Sequence, residues 1–130
     1  MTPDQLKSTL ADYRKIAENF DPAKLRTIMN DLFASDAALH IGHPFGTLEG
    51  PDAFLEQCLN PLHNAMPDLE RRDMILLAGT TPEGQDWVGA MGNYMGTFLM
   101  PFLNVPPTGG LAHMRYHEFY RVEDGKIVEM

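Results

Sequence analysis

The sequence predicts an α+β domain in which helices pack under a curved antiparallel sheet to form a cone with an interior. Three observations predict it. The N-terminal half carries three helix starts of one kind, and the C-terminal half carries long strand-like segments separated by turn residues. No regular β-α-β alternation joins the two halves, which excludes a doubly wound sheet.

The helix starts are Thr2-Pro3, Asp21-Pro22 and Gly50-Pro51, each a small or capping residue before proline at the first helical position, where the missing N–H costs nothing. Gln5 completes a capping box with Thr2, and Leu6, Leu10, Tyr13, Ala17 and Phe20 recur at helical spacing. A second helix is expected over about Pro22 to Phe33 with Leu25, Ile28, Met29 and Leu32 inward, forming a hairpin with the first. A third carries Phe54, Leu55, Cys58, Leu59 and Leu62. Pro61 is expected to kink or end it, with irregular structure from there to Pro67.

Between the second and third helices, Ala37 to Ile41 reads as a short strand entering the turn-rich stretch Gly42-His43-Pro44-Phe45-Gly46. Long strands follow at Leu69 to Gly79, Asp86 to Met100, Leu111 to Glu123 and from Lys126, divided by turn residues, of which Asp124-Gly125 is the strongest hairpin signal. Gly89, Gly92 and Gly96 inside the second long strand predict a bend rather than a flat sheet.

Composition narrows the function classes. A chain of 130 residues, apolar at 44% and charged at 22%, is expected to form one domain over 1–130. Ten Lys and Arg against eighteen Asp and Glu give a net charge of −8, which disfavours nucleic acid as a partner. The longest apolar stretch, Tyr94 to Leu103, is too short to span a bilayer as a helix, and the N-terminus has neither the basic nor the apolar region of a secretory signal. A cytoplasmic protein with no membrane partner is expected. Cys58 stands alone, which excludes an internal disulfide and a thiolate metal cluster.

Chemistry is read by elimination. Ser8 and Ser35 lack the glycine-flanked elbow of a hydrolase nucleophile, and Cys58 sits on the apolar face of its helix. His113 and His117 are four apart, but on a strand that spacing is about 13 Å, too far to share one ion. No metal and no cofactor are expected. Acid–base work by residues lining the cone remains. On Leu111 to Glu123, alternation sets His113, Arg115, His117 and Phe119 on one face and Met114, Tyr116, Glu118 and Tyr120 on the other; each mixes polar and aromatic groups, so periodicity does not choose between them. Asp68 reads as a cap entering the first long strand, and Trp87 as a large core aromatic.

Several motifs carry a family resemblance: Pro44-Phe45-Gly46 through Gly50-Pro51-Asp52-Ala53-Phe54, then Met66-Pro67-Asp68, Trp87, Gly92-Asn93-Tyr94-Met95-Gly96, Pro107-Thr108-Gly109, and the ending from Glu118 to Glu129. Over about Ala34 to Met130 the chain resembles the SnoaL-like polyketide cyclases, whose fold is the nuclear transport factor-like α+β barrel. The resemblance implies a pocket for a small apolar molecule and cofactor-free cyclisation, isomerisation or dehydration of a ketone-like substrate. A ligand-binding or dimerising module of the same fold is the alternative. It also implies the inward choice for His117, as base, with Tyr94 or Asn93 as hydrogen-bond donor. The expected ligand contacts are His40, His43, Arg115, Trp87, Met91 and Phe119, and a homodimer paired sheet to sheet is expected. Two departures matter. Tyr94 stands where the family often has histidine, and the family's essential aspartate lies on the closing strand past Met130, so part of that strand is expected to be missing, with the sheet open beside His113 and Arg115.

Overall fold

The computed structural model describes residues 1–130. The capping box forms as expected: the Thr2 hydroxyl accepts from the Gln5 N–H and the Gln5 side chain accepts from the Thr2 N–H. The first helical segment is divided, however, into α1 (Pro3–Thr9) and α2 (Ala11–Glu18), with Leu10 between them. Asp21 caps α3 (Pro22–Leu32) by accepting from Lys24 N–H. Leu6, Leu10, Tyr13, Leu25 and Met29 bury their side chains against the sheet.

The third helix runs further than expected. It comprises α4 (Pro51–Phe54), a π-helical turn (Leu55–Leu59) and α5 (Asn60–Ala65). The Asn60 N–H donates to the Leu55 carbonyl, five residues back. This wider turn lets the chain pass Pro61, whose ring cannot follow a regular α-helix, so Pro61 neither ends the helix nor opens irregular structure before Ala65.

Six strands form one curved, unclosed, mixed sheet: β1 (Phe33–Gly42), β2 (Gly46–Glu49), β3 (Glu70–Thr80), β4 (Asp86–Thr97), β5 (Leu111–Glu123) and β6 (Lys126–Glu129), in the order β2-β1-β6-β5-β4-β3. All neighbours are antiparallel except β1 and β6. The turn of the β5–β6 hairpin has positive φ at both Asp124 and Gly125, the conformation that dipeptide favours. β6 pairs with β5 only from Arg121 to Glu123, and β5 therefore has no partner on that side over its first half. Asp68 accepts from the Thr97 N–H and hydroxyl and so ties the entry of β3 to the end of β4; these bonds hold its carboxyl below the usual aspartate range. No helix is long and apolar enough to cross a membrane.

Candidate active site

Strand alternation decides what reaches the interior. On β4, Val88, Ala90, Gly92 and Tyr94 point toward the helices; on β5, Tyr116, Tyr120 and Val122 do, and Glu118 shares their side. β3 adds Arg71 and Asp73, paired with Tyr94 and Gly92.

Arg71 is the centre of this interior. Only 1% exposed, it donates through Nη1 to Glu118 Oε2 at 2.7 Å and through Nε and Nη2 to Asp73 Oδ1 at 3.3 and 3.2 Å. Arg14 on α2 donates to the other Asp73 oxygen at 2.6 Å. Two cations and two carboxylates balance, as a buried ionic cluster requires. The chain has 4 tyrosines, and all of them gather here. Tyr13 and Tyr94 accept from Arg71 Nη1, the Tyr116 ring lies 4.1 Å from the guanidinium carbon, and the Tyr116 and Tyr120 hydroxyls donate to Asp73 and Glu118.

The surroundings set the proton affinities. Burial opposes charge on Arg71, but the oxygens of Tyr120 and Glu118 outweigh it and hold the guanidinium protonated. Burial also works against the Asp73 carboxylate; the Tyr116 and Arg14 hydrogen bonds prevail and keep it below the usual range. Burial, then the Glu118 charge, raises Tyr94 and Tyr120 well above an ordinary phenol, and burial pushes Cys58 up to about 11. All four phenols and the Cys58 thiol are therefore neutral near pH 7.

An apolar cavity of about 550 Å³ lies against one side of this cluster, with Tyr94, Tyr116 and Glu118 in its wall and Phe54, Leu59 and Leu62 of the helices as its floor. Consecutive residues from Met114 to Phe119, on the half of β5 that β6 does not pair, line it. Both hydrogen bonds to the Glu118 carboxylate end on Oε2, so Oε1 has no hydrogen-bond partner in the protein, and Glu118 is part of the cavity wall. The Tyr94 hydroxyl accepts from Arg71 and donates to no protein group. A carboxylate able to take a proton and a phenol able to donate a hydrogen bond thus share one apolar chamber.

The expected site residues divide. Tyr94 is in the wall as expected. His117, Arg115 and Phe119 line the cavity although they lie on the exposed register of β5, opposite Tyr116, Glu118 and Tyr120. The reason is apolar area: burying Tyr116, Tyr120 and Val122 turns the odd-numbered face outward. Asn93 and Met91 are likewise outward but outside the cavity, Asn93 donating to the Met74 sulfur at 3.5 Å and Met91 facing His117 across the strands. His40 and His43 reach the rim; the His40 ring bridges Thr47 at 3.0 Å and Glu129 at 3.2 Å. Trp87 is half-buried at the cavity edge rather than in the core. No three His, Cys, Asp or Glu side chains gather closely enough to hold a metal ion. Arg71 escaped the sequence reading because Glu70-Arg71-Arg72-Asp73 looks like a solvated run of charge; the alternation that sets Tyr116, Glu118 and Tyr120 on one face was its only signal.

A family model described as SnoaL-like polyketide cyclase matches residues 10–130. No curated protein matches the chain. Among solved structures, IdmH of Streptomyces antibioticus, provisionally named a polyketide cyclase, is similar with a TM-score of 0.73 and 24% identity over 96% of this chain and 88% of its own. AclR of Streptomyces galilaeus, provisionally named a hydroxylase, has a TM-score of 0.75 and 20% identity over 98% of this chain and 77% of its own. A protein of Jannaschia sp. CCS1, provisionally named a SnoaL-like polyketide cyclase, has a TM-score of 0.70 and 21% identity over 98% of this chain and 83% of its own. At these identities the likeness speaks for the fold alone.

Proposed function

The chain belongs to the SnoaL-like polyketide cyclase family, and from that premise we propose that it is a cofactor-free acid–base catalyst of cyclisation, isomerisation or dehydration on a small, apolar, ketone-like molecule. The observation that carries this reading is Glu118 in the wall of an apolar cavity, its side chain 10% exposed, with one oxygen fixed by Arg71 and Tyr120 and the other without a hydrogen-bond partner in the protein. Glu118 takes the proton from the carbon beside the carbonyl, and Tyr94, next to the Arg71 charge, donates to the oxygen on which negative charge develops.

Deuterium exchange next to the carbonyl of 1-tetralone in D2O, followed by NMR, tests the assignment. Glu118→Gln is expected to lower the catalysed exchange by about 10²–10⁴-fold, the usual worth of a positioned base. His117→Ala, altering the outward face, should leave it within a few-fold. Exchange undiminished in Glu118→Gln sinks the assignment. The second reading, a binding module, is favoured by the same salt bridge, because Glu118 also serves as a counter-ion to Arg71; binding without any exchange in the intact protein supports it.

The partner follows from the outward face of the sheet, where Ile75, Leu77 and Phe119 are each about half exposed. In this reading two copies bury these faces against one another as a homodimer. Light scattering should give twice the chain mass, and Leu77→Glu should halve it; a monomer mass at every concentration would exclude the pairing.

A further inference from the structure

The loop between β4 and β5 contributes Phe102 and Leu103 to the cavity lining. Every residue from Tyr94 to Ala112 is uncharged, in a chain with net charge −8. The base of the loop is fixed: Phe98 N–H donates to Gly110 O, Gly109 N–H to Phe98 O, and the Leu99 and Met100 N–H groups to Ala65 O. At its tip, Phe102 and Val105 exchange two backbone hydrogen bonds of 3.2 and 2.8 Å around the two-residue turn Leu103-Asn104. Both turn residues have positive φ, 51° and 63°. The equivalent positions of the β5–β6 turn hold Asp124 and Gly125, residues suited to that backbone. Asn104 is suited to it as well. Leucine is not, because its Cβ crowds the adjacent carbonyl in the left-handed region. Yet Leu103 is 46% exposed, so no burial in the protein core offsets this strain, while its side chain lines the cavity beside Phe102.

We infer that Leu103 is a ligand-contact residue, held in a strained left-handed turn so that its side chain closes over a planar apolar ligand in the cavity. Local strain without a compensating contact in the protein is what a contact completed by a ligand leaves behind. The inference rests on the cavity being a ligand site, and it is independent of whether Glu118 is a base.

Trp87 is the chain's only tryptophan and sits at the cavity edge, so its fluorescence reports occupancy. The probe is 9-fluorenone, a planar tricyclic ketone, titrated into the intact protein, with thermal unfolding measured in parallel. Leu103→Asn and Leu103→Ala should each weaken binding about tenfold, the worth of one leucine's apolar contact. Leu103→Asn should also raise Tm by relieving the backbone, whereas Leu103→Ala should not. Asn104→Gly, at the turn position already suited to positive φ, should leave Tm and binding near those of the parent, which separates turn geometry from the contact made by Leu103. Binding in Leu103→Asn within twofold of the parent would overturn the role of Leu103 while leaving the cavity reading intact. No Trp87 response in the parent protein would overturn the cavity reading and the role of Leu103 with it.

Discussion

Replacing Arg71 by methionine is expected to destabilise the protein by about 3–5 kcal/mol, the usual cost of removing one partner from a buried ion pair. Typical domains have a total of only about 5–15 kcal/mol, so the loss would take a large share of the stability. The two carboxylates do not share the loss equally. Asp73 keeps Arg14 at 2.6 Å and the Tyr116 hydroxyl, while Glu118 is left with Tyr120 alone. The cost therefore arises mainly from an uncompensated charge at Glu118. Adding Glu118→Gln to Arg71→Met should recover part of the stability, because the residual charge is then gone. Urea unfolding of the two single variants and the double variant measures this coupling. A loss below about 1 kcal/mol in Arg71→Met would mean that solvent reaches the cluster and that the interior is not closed around it.

Gly92→Ala should be comparably damaging for a different reason. A Cβ at this position would lie 1.9 Å from the Arg72 carbonyl oxygen and 2.4 Å from the Tyr116 hydroxyl. The first obstacle is backbone, so β3 would have to move away from β4 where Asp73 pairs with Gly92, just before the irregularity between Asp73 and Ile75. The second is the hydroxyl bonded to Asp73, so the methyl group also dislodges one anchor of the charge cluster. A loss of about 3 kcal/mol is expected, the upper end of the usual overpacking range. Gly79→Ala on the same sheet is the control, since its Cβ would meet nothing within 4 Å. Denaturation midpoints that are equal for the two variants would contradict this account.

Features that depend on neighbours in the chain were legible without coordinates. Thr2-Pro3, Asp21-Pro22 and Gly50-Pro51 start helices because capping and the fixed φ of proline act within one turn of backbone. Asp124-Gly125 forms its hairpin because positive φ is a property of those residues. The order of helices and long strands, and with it the α+β class, follows from such local signals. Short or compensated elements were less legible: β2 has 4 residues, and the passage of the chain through Pro61 depends on a π turn made upstream of it.

Tertiary structure alone decided which side of β5 faces inward. Both faces of that strand mix aromatic and charged groups, so alternation could say which residues travel together but not where they point. The choice was made by partners distant in sequence: Tyr13 on α2, Arg71 on β3 and Tyr94 on β4 converge on Tyr116, Glu118 and Tyr120. Burial of Arg71 is tolerated only where all of these meet, because a guanidinium leaves water only when its charge and its hydrogen bonds are matched. Sequence determined which residues could build a site in this protein, and the three-dimensional pairing of β3, β4 and β5 turned Glu118 toward the buried cluster and left His117 exposed on the other face of the strand.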